Sequence, residues 1–276
     1  RLSYFLWSSV PDDKLLLVAE RQELAGDGNL QLHAGRMLQD DRVEAFAREF
    51  FGQWLRFRDY LDKDPINPEA FPEYTDELRT AMWREAIELG NSIIRNDLPI
   101  TTLINSDSTH VNGALARHYG GEIQRQWEEA RKQLQSHLNA TGQTALSKQE
   151  LDAVWFEVDG LLAEGRGGLF GMAVILAKNS SGERTSPVKR GFWTVHHLLG
   201  QHFPPPPADV PELPDSVRDG EHSLRELLKA HVADASCSIC HKHFDYLGLA
   251  QESFDPIGRF RDRDIAGRPI DDAVTL

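Results

Sequence analysis

Cysteine is scarce: Cys237 and Cys240 are the only two in 276 residues, and they lie three positions apart. They cannot form the disulfide framework that staples small secreted folds. Basic residues are outnumbered, with 30 Lys and Arg against 43 Asp and Glu and a formal charge of -13. Such a surface repels phosphate backbones and anionic lipid heads, which sets nucleic-acid and membrane-surface partners aside. No apolar run reaches the roughly 20 residues of a bilayer-spanning helix. The longest, GLFGMAVILA from Gly168 to Ala177, is half that length and reads as a core segment. No charged n-region and apolar h-region open the chain, which starts at Arg1, so the expectation is a mature piece or a fragment. There is no G-x-S-x-G, P-loop or H-E-x-x-H, so hydrolase and nucleotide chemistry have no motif to stand on.

What the chain has in quantity is aromatic surface, with thirteen Phe, six Trp and five Tyr, enough to build a real core in one or two domains. Between residues 41 and 58, Val43, Phe46, Ala47, Phe50, Phe51, Trp54 and Phe57 fall on one helical face. From Asp76 to Ile94, Leu78, Met82, Ala86, Leu89 and Ile93 repeat in the same way, which predicts a second helix packed on the first. Asn112 starts a short helix that the Gly120-Gly121 pair stops, residues 124–138 read helical, and Ser147 with Glu150 forms a capping box opening a helix toward Leu162. The fold class is therefore mainly α. Residues 1–165 are expected as a helical scaffold, and 166–203 as a glycine-rich connecting segment. A linker follows at Pro204–Pro207, with Pro211 and Pro214, leading into a small helical module over 204–276. A helix over Ser223–Val232, with Leu224, Leu227, Leu228 and His231 on its apolar face, runs into the cysteines.

Cys237-Ser238-Ile239-Cys240-His241 has the form C-x-x-C-H. Two thiols one helical turn apart can each add across a haem vinyl group while the adjacent imidazole reaches the iron. Cys237 and Cys240 are thus the candidate attachment residues, His241 the proximal iron ligand, and haem c the expected cofactor. Zinc is an alternative, with two of His231, His241 and His243 joining the thiolates. Thioredoxin-type redox chemistry would want the pair at a helix start after a strand, and here a helix precedes it.

The residues around the motif carry a resemblance. After His231, Cys237, Cys240 and His241, the chain has Asp245, Leu247, Gly248, Leu249, Ala250, Glu252, Phe254, Asp255, Gly258 and Arg259. This stretch resembles the C-terminal haem-binding part of the planctomycete-type multidomain c-cytochromes, an uncharacterised family that reads roughly D-P-L-G-F-A-L-E-N-F-D-x-x-G-x-x-R there. Upstream, RLSYFLWSSVPDD at 1–13, Gln53-Trp54-Leu55, Asn112–Gly120 and RTSPVKRG at 184–191 are similar to other modules of that family in the same order. The likeness covers most of 1–120 and 166–276. Residues 121–165 look like an insertion, Tyr246 stands where the family usually has Pro, and Ser180-Ser181 replaces a more usual Ser-His or Ser-Asn. Family members normally continue past the point where this chain ends, so a C-terminal module is expected to be absent or carried separately. The resemblance implies covalent haem and a periplasmic or otherwise extracytoplasmic location. It supplies no reaction.

The sixth iron ligand decides between a closed electron-transfer centre and an open site for peroxide or an organic substrate. His231 is the first candidate, with His196 and His197 behind it; His243 is expected to be exposed. Met37, Met82 and Met172 are expected in the core. Arg184, Lys189 and Arg190 are candidates for holding haem propionates, and Asp59, Asp62 and Asp64 form an acidic cluster that lacks the glycine and terminal Glu of a calcium loop. Electron transfer is the leading expectation, toward a basic redox partner or within a larger redox assembly. A haem enzyme and a structural subunit are the alternatives.

Overall fold

The computed structural model describes residues 1–26, 28–63, 66–204, 222–233 and 235–274, and for His231, Ala235 and Ser236 the backbone only. The proline linker from 205 onward lies outside the described residues, as does Asp64 of the acidic cluster. The fold is mainly α, as the periodicity predicts. Its axis is the helix Asp76–Arg95, in which all five predicted apolar positions are buried. Thr75 caps it, its hydroxyl accepting from Leu78 N at 3.3 Å. Asp76 and Glu77 in the first turn and Arg95 in the last complement the helix dipole. Gly90 allows a close crossing, since a Cβ there would come within 2.6 Å of the Phe51 ring.

The single helix expected over 41–58 is divided. A 3-10 turn, Asp41–Val43, leads into residues 44–54, whose middle, Ala47–Phe51, winds as a π turn. The extra residue in that turn shifts the facing side chains, and Phe51 enters the core while Phe50 stays exposed. The helix expected from Ser147 to Leu162 ends at Ala153, although its capping box is present. Beyond it the chain extends as β2, Phe156–Asp159, paired antiparallel with β1, Ser108–Val111, so that Val158 lies opposite Thr109. Aromatic and β-branched residues at 154–158 suit a pleated surface better than another helical turn.

One hydrophobic cluster runs from Ala47 to Ile257. The insertion-like stretch contributes Ile123, Trp127, Val158 and Leu161 to it, and the glycine-rich segment contributes Leu169, Met172, Ile175 and Trp193. Both stretches therefore help to build the core that the central helix organises. A smaller cluster of Leu6, Trp7, Leu15 and Met37 closes the N-terminal end. No helix among the described residues is long and apolar enough to cross a membrane.

A charged network sits inside this core. Glu85 on the central helix accepts from Thr109 Oγ1 at 2.9 Å and from Tyr119 Oη at 2.5 Å. Burial pushes its carboxyl up to about 7, against the hydrogen bonds that favour the anion. Arg166 lies over the Tyr119 ring, 4.0 Å from its centroid, and donates to the carbonyls of Gly171 and Gly258. His118 meets the Ile257 carbonyl at 2.8 Å, and burial lowers its imidazole to about 4. A carboxyl raised on folding keeps a proton that the unfolded chain has released, so Glu85 subtracts stability as pH climbs from about 4.5 to about 7. His118 has the opposite slope, subtracting stability as pH falls from 6.5 to about 4. Glu85→Gln is expected to remove the first slope and to gain about 3 kcal/mol on the wild type between pH 5 and pH 8, at roughly 1.4 kcal/mol per pKa unit. Urea midpoints at the two pH values check this, and a difference that does not change with pH contradicts it.

Candidate functional site

Ser223 opens the C-terminal region with a capping box on Glu226, starting the helix Leu224–His231. A second helix, Ala235–His241, carries the motif, and a third, Asp245–Leu249, follows directly. Cys237 and Cys240 are half-buried on the second helix, with Ile239 exposed between them. His241 closes that helix, and its Nδ1 lies 3.0 Å from each carboxylate oxygen of Asp245. Both side chains are about 15% exposed, at 15% and 14%. Beside them a cleft of about 250 Å³ is lined by Leu228, Val232, Tyr246 and Leu249, with Lys229 and Lys242 among its polar residues. The side chain of His231 lies outside the described residues.

The third helix holds the site to the body of the protein. Gly248 and Gly191 sit where it crosses the helix Pro187–Trp193. A Cβ on Gly248 would fall 1.8 Å from the Pro187 carbonyl oxygen, and one on Gly191 would fall 1.9 Å from that of Phe244. Arg190, on the same crossing helix, is fully buried. It donates to the carbonyls of Gln251, Phe254 and Asp255 at 2.7–2.8 Å and to Ser180 Oγ at 3.2 Å. Glu252, also buried, accepts from Thr185 Oγ1 at 2.7 Å and pairs with Arg261, and burial raises its carboxyl. Asp255 accepts from the backbone N–H groups of Ile257 and Arg259, closing the turn that Gly258 completes at φ +80°. The expectation that Arg190 holds a propionate is thereby corrected, because its guanidinium is enclosed by main-chain oxygens.

The other candidates separate into two groups. Met37, Met82 and Met172 are core residues, as expected, and Met82 Sδ accepts from Tyr60 Oη at 3.5 Å. The histidines gather near the site. His196 stacks on Phe192 at 4.9 Å between centroids, and His197 and His202 lie 4.7 and 4.6 Å from His196. Phe192 in turn meets Phe244, whose ring is 5.1 Å from that of His241. His243 is exposed and touches Phe203. Burial, and then the neighbouring His196, lowers His197 to about 4. The Nδ1 of His196 is buried with no hydrogen-bond partner. Among the described residues no three His, Cys, Asp or Glu come together in a set that could hold a metal ion; the side chain of His231, a candidate ligand in the zinc alternative, lies outside them. Asp59 pairs with Lys63.

Two family models match the chain. Residues 1–120 match PSD4, described as a protein of unknown function (DUF1592), and residues 166–264 match PSCyt3, described likewise (DUF1588). By name they are domain families of planctomycete-type cytochromes c. No curated protein and no solved structure matches the chain.

The PSCyt3 stretch contains the crossing glycines, the buried Arg190 and the whole C-x-x-C-H helix. Its start at residue 166 coincides with the buried Arg166, and so the glycine-rich segment and the motif helix fall within one matched unit. Sequence reasoning missed Asp245 as the partner of His241 and Glu252 as a buried charge. The four-residue spacing from His241 was the available signal for Asp245. Gly248→Ala is expected to cost about 3 kcal/mol or more, at or beyond the upper end of ordinary overpacking. Gly35→Ala, in an exposed helix position with nothing within 4 Å, is expected to gain up to about 1 kcal/mol. Urea denaturation of the two variants beside the wild type measures both, and equal stability of the two would contradict the crossing.

Proposed function

We propose that this chain is a c-type cytochrome that carries one haem through Cys237, Cys240 and His241 and transfers electrons. The observation that carries the reading is the state of His241 at the end of the C-x-x-C-H helix. Its Nδ1 lies 3.0 Å from both carboxylate oxygens of Asp245, an arrangement in which Nε2 would be the ligand atom. The remaining chemistry of the donors fits the group. Cys237 and Cys240 stand one turn apart on the same helix as the imidazole, and both are half-buried. Leu228, Val232, Tyr246 and Leu249 line a cleft with Ser238 and His241 of that helix and would offer a haem apolar contact, and Lys229 and Lys242 would offer positive charge suited to propionates. The cleft, at about 250 Å³, is smaller than the roughly 300–1,000 Å³ of ordinary ligand pockets, so these residues would hold a haem while leaving it accessible to a partner protein.

When bound, haem supplies an iron centre that cycles between two oxidation states. The chain's part is to fasten it through two thioethers, to present Nε2 and to keep its surroundings apolar. The family name of the matched PSCyt3 stretch supports the same reading. Covalent attachment implies an extracytoplasmic location, and the -13 formal charge favours a basic redox partner or a neighbouring subunit, at rates that fall as ionic strength rises. Coexpression with haem-attachment machinery, followed by a pyridine haemochrome spectrum and intact mass, tests the assignment. One haem per chain is expected in the wild type, a vinyl-retaining spectrum in Cys237→Ala or Cys240→Ala, and none bound covalently when both are replaced. A colourless wild type, or one carrying only zinc, refutes it.

A further inference from the structure

Resting on the haem assignment, we propose that Asp245 is a positioning residue for the proximal ligand: its carboxylate fixes the tautomer of His241 and lowers the reduction potential of the iron that His241 binds. The geometry is specific. Both Asp245 oxygens are 3.0 Å from Nδ1, and a carboxylate can only accept, so Nδ1 carries the proton and the Nε2 lone pair is directed away from the pair. Nδ1 meeting a carboxylate gives the imidazole more anionic character than it would have beside a neutral acceptor. A more basic ligand favours the ferric state, and hydrogen bonding behind the ligand is one of the levers by which a protein sets haem potential.

The rest of the fold keeps this carboxylate in place. His241 ends one helix and Asp245 begins the next, with Phe244 at φ -137° making the break between them. Three residues after Asp245, Gly248 lies against the Pro187 backbone, and the carbonyl of Phe244, one residue before it, lies against Gly191. Asp245 is thus bracketed by two points of backbone contact that allow no side chain between them. With only 15% and 14% of the side chains exposed, water competes weakly for the bond.

Two measurements on the full chain test the proposal. In the haem-loaded protein, Asp245→Asn is expected to retain the haem content of the wild type and to raise the midpoint potential in spectroelectrochemical titration. Asp245→Glu is expected to recover part of that shift. Equal potentials in wild type and Asp245→Asn overturn it. Independently of haem loading, 15N chemical shifts of His241 in the unloaded full chain are expected to show the Nδ1–H tautomer. A proton resident on Nε2 overturns the proposal even where Asp245→Asn cannot be matured. A wild-type chain that takes no haem but shows the Nδ1–H tautomer refutes the cofactor assignment and with it the effect on potential, while the Asp245–His241 bond stands, so the two failures can be told apart.

Discussion

A guanidinium with no access to water depends on the protein for its partners: the two terminal nitrogens of Arg190 donate to three main-chain carbonyls and a hydroxyl, while its Nε is buried with no hydrogen-bond partner. Leaving such a cation unpaired in the interior would cost several kcal/mol, so the 251–255 turn is obliged to stay where those oxygens can reach it. The stretch from Gln251 to Asp255 is held by this arrangement. Glu252 is drawn in by Arg261 and Thr185, Asp255 closes the turn, and the helix Asp245–Leu249 is brought against Pro187–Trp193 closely enough that only glycine fits at the crossing. The residues that make the stretch after the motif recognisable are therefore mostly residues that mount it, and the proposed chemistry is confined to Cys237, Cys240, His241 and Asp245.

The same core reaches across every boundary that the sequence suggests. Trp193 donates to the Leu55 carbonyl, and Trp54 donates to that of His197, so the crossing helix and the π turn Thr194–Leu198 that follows it are tied to the end of the 44–54 helix. His118, at the end of the stretch matching PSD4, contacts Ile257 in the stretch matching PSCyt3. Two separately matched units share one interior, and the 45 or so residues between them supply Trp127 and a strand to it.

What could be read from the sequence was local. Asn112 and Ser147 announce their helices because a cap needs only the next three residues. The stripe from Leu78 to Ile93 is visible because it spans several turns, and C-x-x-C-H because its meaning lies in five adjacent positions. The β1–β2 pair was not legible, since each strand has four residues and its partner lies almost fifty positions away. Arg190 was a candidate for holding a propionate because the oxygens that enclose it are about sixty residues further along. Asp245 stood at a helical spacing from His241, yet a break separates the two helices, so spacing alone could not show that the side chains meet.

Where two backbones touch without an intervening side chain, the contact has almost no compliance. The Phe244 carbonyl at Gly191 is such a contact, three residues from His241. A side chain rooted so near a rigid point has little room to recoil when the charge beside it changes. Under the proposed haem assignment, nuclear rearrangement around that imidazole would be correspondingly small, which would lower the reorganisation energy of electron transfer.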